Sequence, residues 1–248
     1  MKRKDIAVIT ALGIITLFGS CAKEGPNGPT GPAGPSYIGT ISGHVTLFDQ
    51  YGSRVTTGLS NVSLSLNGNT TIVHPDNSGF YSYPSISTGI YTLAASDSAY
   101  ASTINSFNYV SGTLNKDMKM SAIPDSFVYS LTTSCDTITA LDSLVLTFKH
   151  DTRARNCIVF ASTSPAVGNT PDSYLWFKVI SVSATAPAVS FVVPRQDLTD
   201  VGMVSGARVY YVAYSYVVGD ASAYEDFNTG KNVYNAVNGA VRDSTLVP

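Results

Sequence analysis

From Ile41 onward the chain alternates apolar and polar residues with a period of two, and each alternating run breaks at a turn signal after a few residues. Ile41, Val45 and Leu47 fall on one side, and Ser42, His44 and Thr46 on the other. The same pattern recurs at Val62/Leu64/Leu66 against Ser63/Ser65, and at Ile90/Thr92/Ala94 against Tyr91/Leu93/Ala95. No run of useful length with a helical period follows residue 20. Strands with one apolar face can bury it only against another sheet. The expectation is therefore an all-β fold of two tandem β-sandwich domains. Composition agrees: charged residues make up only 13%, and 31 Ser and 25 Thr supply the missing polarity. At 44% hydrophobic, the chain has enough apolar surface for packed cores.

The first 20 residues carry an address. Lys2-Arg3-Lys4 precede the uncharged run Ile6–Gly19, too short to span a bilayer and typical of a signal-peptide core. Leu17-Phe18-Gly19-Ser20-Cys21 resembles a bacterial lipobox, which implies lipidation of Cys21 after removal of residues 1–20. The resemblance places the protein in the cell envelope, anchored to the outer membrane through its lipid and surface-facing rather than periplasmic. Residues 21–36 form a spacer, in which residues 25–36 are four G-X-Y triplets. They read either as a collagen-like trimeriser or as a stiff monomeric stalk; four triplets bury little, so a stalk on a monomer is expected. Removal of residues 1–20 leaves 12 basic and 16 acidic residues, and this acidic balance argues against nucleic acid as a partner.

Residues 37–120 are expected to form the first domain. Turn chemistry at Asp49–Gly52, Asn67-Gly68, Asp76–Gly79 and Ser87–Gly89 separates about seven short strands. Further strands are predicted over 70–74, 80–83, 105–109 and 114–120. Ile41-Ser42-Gly43-His44-Val45, Gly58-Leu59-Ser60-Asn61-Val62-Ser63-Leu64, Asp76-Asn77-Ser78-Gly79-Phe80-Tyr81 and Gly89-Ile90-Tyr91-Thr92-Leu93 together resemble the carboxypeptidase regulatory-like domain. That resemblance implies a transthyretin-type sandwich serving as a non-catalytic accessory module. The matched positions are structural, with Asp76 accepting N–H groups within its own turn.

Residues 121–248 are expected to form the second domain, opening at Pro124. Strands are predicted over 127–131, 144–149, 157–162, 173–180, 189–193, 208–218, 232–237 and 240–246. Arg208-Val209-Tyr210-Tyr211-Val212-Ala213-Tyr214 resembles strand F of immunoglobulin-like or fibronectin type III sandwiches. Trp176 is the obvious large core anchor. With Cys21 lipidated, Cys135 and Cys157 remain, and such a pair in an exported protein suggests a disulfide; the alternative is two buried thiols on neighbouring strands.

No catalytic constellation emerges. His44, His74 and His150 have no partner at metal-ligand spacing, and nucleophile-elbow, Walker and dinucleotide motifs are absent. The protein is read as a non-enzyme without cofactor or metal. Tyr210, Val212, Tyr214 and Tyr216 share one strand face, while Tyr174 and Trp176 are read as sharing another. Tyr174, Trp176, Tyr214 and Tyr216 are thus candidates for stacking on a glycan, with core packing as the alternative. Asp220, Glu225 and Asp226 read as a solvated acidic loop. Asp97-Ser98-Ala99, Asp136-Thr137-Ile138, Asp142-Ser143-Leu144 and Asp243-Ser244-Thr245 resemble a bacterial O-glycosylation acceptor, although Asp-Ser pairs are also ordinary turn chemistry. The functional expectation is a non-catalytic binding or adhesion module. The alternatives are an accessory subunit of an outer-membrane complex or a glycan-binding lipoprotein, so the partner is an envelope protein or a glycan.

Overall fold

β1 (Ile38–Phe48) organises the first half of the fold. Ile41, Val45 and Leu47 are buried and His44 is exposed, the alternation expected from the sequence. The computed structural model describes residues 38–136, 138, 141–148 and 153–247. The signal-peptide reading, Cys21, the G-X-Y spacer and His150 lie outside the described residues.

β1 works in two halves. The first pairs antiparallel with β4 (Phe80–Ser87) and parallel with β7 (Thr113–Asn115). The second pairs parallel with β8 (Met118–Ser121) and antiparallel with β2 (Arg54–Val55). β3 (Ser63–Leu66), β5 (Gly89–Asp97) and β6 (Tyr100–Tyr109) form the second layer in the order β3-β5-β6. Ile41, Val45, Leu47, Leu64, Leu66, Tyr81, Tyr83, Leu93 and Met120 fill the core between the layers.

Two predicted strands differ from what is found. Residues 70–74 contribute a single bridge, Val73 to Leu64, because Thr70, Thr71 and Ile72 are exposed and Pro75 offers no N–H to extend a ladder. Residues 114–120 divide into β7 and β8. At the break the Lys116 N–H donates to the Ser42 carbonyl (2.8 Å) and the Asp117 carboxylate accepts the His44 N–H (2.9 Å). This crossing is why position 43 is glycine: a Cβ there would overlap the Lys116 carbonyl oxygen. Asp76 acts as its motif implies, its Oδ1 accepting the N–H groups of Ser78 (2.8 Å) and Phe80 (3.0 Å).

The second half packs three strands on four. β9 (Val128–Asp136), β10 (Leu141–Phe148) and β13 (Ala188–Pro194) form one sheet in the order β13-β10-β9. β11 (Arg155–Ser162), β12 (Trp176–Val182), β14 (Arg208–Tyr216) and β17 (Val237–Leu246) form the other in the order β12-β11-β14-β17. β14 is therefore an interior strand of the four-stranded sheet, held between β11 and β17. A five-residue helix, α1 (Arg195–Thr199), follows β13 and was not foreseen. The predicted strand over 232–237 is only β16 (Asn232–Val233), paired with β15 (Tyr224–Glu225) in a small hairpin.

β11 is buried on both faces, which accounts for its continuous apolar run. Cys157, Val159 and Ala161 join Leu131, Val209, Tyr211 and Ala213 between the sheets. Ile158 and Phe160 point the other way, into a second core with Val167, Tyr174, Val212, Tyr216, Val217, Tyr234 and Ala236. Loops and the β15–β16 hairpin thus cover the outer face of the four-stranded sheet.

The halves are stitched along a polar seam. Gln50 Nε2 donates to Asp125 Oδ2 and Gln50 Oε1 accepts the Asp125 N–H, both at 3.0 Å. Ser121 N–H donates to Ser222 Oγ (2.6 Å), and Ser121 Oγ accepts the Ala221 N–H (2.9 Å). Asn235 Nδ2 reaches the Ser102 carbonyl at 3.0 Å, and Ala101 of β6 enters the outer core. These bonds set the hairpin beside β6.

Candidate binding cleft

The four aromatic residues singled out from the sequence do not form an open platform. Tyr174 and Tyr216 are only 5% and 6% exposed, inside the outer core, and Tyr214 packs half-buried against the same cluster. Trp176 lies on the opposite side of the sheet, half-buried against the inner core. Tyr174 precedes β12 and turns away from Trp176, its hydroxyl donating to the Asn232 carbonyl at 2.7 Å. Phe160 is the hub of this cluster, with ring centroids 5.0 Å from Tyr174, 5.8 Å from Tyr234 and 6.0 Å from Tyr214. Burial pushes the Tyr174 phenol up to about 12 and raises that of Tyr216 as well. Tyr174 and Tyr216 are core, so stacking of a glycan on them is corrected to packing, while Trp176 and Tyr214 keep part of their surface on opposite sides of the sheet and form no shared platform.

The expected disulfide is also corrected. Cys135 lies on β9 and Cys157 on β11, in different sheets, and no disulfide joins them. β9 packs against β17 and β14, with the Thr133 N–H donating to Asp243 Oδ2 of β17 at 2.7 Å. Burial pushes the Cys157 thiol up to about 12, which leaves it a small apolar side chain rather than a nucleophile. His44 packs its ring on Phe80 at 5.4 Å, and His74 Nδ1 pairs with the Val62 carbonyl at 2.9 Å. Among the described residues, no group of three His, Cys, Asp or Glu side chains is placed to hold a metal ion.

What the structure does assemble is a cleft where β6 meets the β15–β16 hairpin. One hollow of about 530 Å³ is lined by Ile104, Asn105, Ser106, Tyr224, Glu225 and Phe227. A second of about 310 Å³ shares Ile104, Ser106, Tyr224, Glu225 and Phe227 with it and adds Thr92 and Asn228. A third of about 200 Å³ continues past Ile104, Asn105 and Tyr224 to Lys119. The larger volumes fall in the range of roughly 300–1,000 Å³ usual for small-ligand sites.

The hairpin tip explains the geometry. Asp226 Oδ1 accepts the N–H groups of Asn228 (3.1 Å) and Thr229 (2.9 Å) and the Thr229 hydroxyl (2.9 Å). Hydrogen bonding, from the Thr229 hydroxyl above all, holds the Asp226 carboxyl below its ordinary range. Gly230, at φ 65°, closes the loop with its N–H on the Asp226 carbonyl. Lys231 Nζ pins the hairpin to the neighbouring loop through the carbonyls of Pro171 and Tyr174, each at 3.2 Å. The outcome is Phe227 held out at 83% exposure. Across from it, Thr92 and Ser106 present hydroxyls bonded to each other at 3.0 Å.

The expected solvated acidic loop therefore divides into three roles. Asp226 organises the turn, and Glu225 lines the cleft with its carboxylate unpaired among the described residues. Asp220 is half-buried at the seam, where Oδ1 accepts the Ser222 N–H at 2.7 Å and burial raises its pKa. Sequence reasoning missed Phe227. Its signal was an aromatic residue set among the turn formers Asp226, Asn228, Thr229 and Gly230, with no alternating apolar partner to pack on.

No family model matches the chain, and no curated protein is significantly similar to it. Among solved structures, it is similar to a candidate carbohydrate binding protein from Bacteroides uniformis at 15% identity and a TM-score of 0.32, over 84% of this chain and 100% of that one. A DUF3823 family protein from Parabacteroides merdae matches at 13% identity and a TM-score of 0.32, over 84% and 99%. Another from Bacteroides ovatus matches at 11% and 0.28, over 82% and 97%. Overlaps this low carry no argument about the cleft. The class is defined by the fold itself, an all-β protein built of stacked sheets.

Proposed function

We propose that the protein is a non-catalytic binding module of the cell envelope, tethered by lipid on Cys21 and binding its ligand in the cleft beside Phe227. The observation that carries this reading is Phe227 itself. A large apolar ring left in water gains nothing for the fold, yet three hydrogen bonds to Asp226 and a glycine at φ 65° hold it in one place. Rigid presentation of an aromatic residue lowers the entropic cost of binding, a recurring property of recognition surfaces. The signal-like residues 1–20, the G-X-Y spacer and the resemblance of residues 37–120 to an accessory module support the same reading.

The test separates anchor from site. Cys21→Ala is expected to release the protein from the membrane fraction without changing its fold. Protease added to intact cells is expected to cut the wild-type β-domains, and protection until the outer membrane is opened would overturn surface display. Phe227→Ala is expected to weaken ligand binding about tenfold while leaving thermal stability unchanged; undiminished binding would overturn the site.

A second reading, an accessory subunit docked by strand addition, draws on β12. It is an edge strand of its sheet, and Phe177 and Val179 along it, with Leu175 just before it, are exposed. A native envelope complex that survives Phe227→Ala but is lost on Val179→Lys would favour that reading.

A further inference from the structure

We infer that the ligand of this cleft is an uncharged glycan chain lying along β6, with one sugar ring stacked on Phe227 and its hydroxyls hydrogen-bonded to Glu225. The inference rests on the cleft being the binding site and names the chemistry it selects.

Three observations lead there. The first is shape: the hollows adjoin one another through Ile104, Asn105 and Tyr224, so the site is a run of positions along a strand rather than one enclosed pocket. An elongated ligand built of repeating units fills such a run. The second is the pairing of surfaces. Phe227 and Tyr224 offer aromatic rings, and Thr92, Asn105, Ser106 and Asn228 offer hydroxyl and amide groups. A pyranose matches both, because its C–H groups form an apolar face and its hydroxyls project from the rim. A lipid chain would leave those polar groups unpaired, at a cost.

The third observation is charge. Glu225, Asp226 and Asp117 line the hollows, against Lys119 alone. Asp226 is committed to its turn, whereas Glu225 is not bonded to the protein among the described residues. A carboxylate has only acceptor capacity and suits the donor hydroxyls of a sugar. It also repels uronate and sulfate groups, and no cation among the lining residues of the two larger hollows offsets it. The same wall that accepts a neutral glycan therefore excludes an acidic one.

The experiment uses the full-length protein with neutral oligosaccharides (β-glucan, mannan and xylan hexamers), with polygalacturonate and heparin oligomers as acidic counterparts, measured by isothermal titration calorimetry. At least one neutral hexamer is expected to bind, and neither acidic set. Phe227→Ala is expected to weaken that binding about tenfold, the scale of one lost anchor residue. Glu225→Gln is expected to weaken it less and to relieve the exclusion of polygalacturonate. Binding of an acidic oligomer by the wild type, lost on Phe227→Ala, would overturn the ligand class while leaving the site standing. Neutral binding untouched by Phe227→Ala would overturn the site as well. No binding to any oligomer, with an envelope protein captured in a Phe227-dependent way, would overturn the glycan and leave the cleft as a protein-binding site. Circular dichroism melting of each variant guards against loss of fold.

Discussion

Phe160→Ala is the substitution that most sharply separates a second core from an exposed aromatic platform. Phe160 is fully buried on the outer side of β11, ringed by Tyr174, Phe177, Tyr214 and Tyr234. Returning a ring of this kind to water costs about 2–3 kcal/mol, and the cavity left behind raises the loss to about 3–5 kcal/mol. For a chain of this length the urea dependence is about 3 kcal/mol/M, so the unfolding midpoint should fall by about 1–1.7 M. Tyr234→Ala adds a check, since a double-mutant cycle with Phe160→Ala should show a coupling of about 0.5–1.5 kcal/mol. The assay is urea denaturation followed by tyrosine fluorescence and far-ultraviolet circular dichroism on the same samples. A loss under about 1 kcal/mol would refute the reasoning, because it would mean that water already reaches the outer face of the sheet. Phe227→Ala is the internal contrast: the ring is exposed, so its loss should change stability by no more than about 0.5 kcal/mol.

Three further outcomes follow from the geometry. Gly43→Ala should destabilise more than an ordinary surface Gly→Ala change, because the added Cβ meets the Lys116 backbone rather than a movable side chain; an unchanged melting temperature would contradict this. The Cys157 thiol, pushed up to about 12 by burial, should resist iodoacetamide at pH 8 in the native protein and react once urea unfolds it, as read by peptide mass; labelling without unfolding would contradict it. Asp220 has a raised pKa in the folded state, so its ionisation opposes folding: wild-type stability should fall as pH rises from the ordinary carboxyl value through the raised one. Asp220→Asn removes that charge, so its stability relative to wild type should improve from pH 4 to pH 8 in urea midpoints. A difference that does not vary with pH would sink this account of Asp220.

The strands were the most legible part of the chain, because their evidence is local. Alternation placed Ile41, Val45 and Leu47 inward and put Tyr210, Val212, Tyr214 and Tyr216 on one face of β14, and the structure agrees. Period-two reasoning then failed at Tyr174 and Trp176, because β12 begins only at Trp176 and the residue pair straddles a loop-to-strand boundary. What covers a sheet face is non-local. The outer face of β11 and β14 is sealed by Val167, Tyr174, Val217 and Tyr234 from separate loops, and nothing in the β14 pattern announces them. The cysteine pair misled for the same reason, since even counting says nothing about which sheet each thiol joins. The cleft depends on the seam at Ser121, Ser222 and Asn235, and sequence spacing does not encode contacts of that range. Only Phe227, an aromatic residue in a turn of Asp, Asn, Thr and Gly, left a local trace.

The most direct test of the central claim is a crystal structure of the protein soaked with the tightest-binding neutral hexamer. Sugar density stacked on Phe227, with ring hydroxyls within hydrogen-bond distance of the Glu225 carboxylate and the chain running along β6, is the predicted result. Sugar density elsewhere, as in the hollow formed by Tyr210, Arg242 and Asp243, with the cleft beside Phe227 unoccupied, would contradict it.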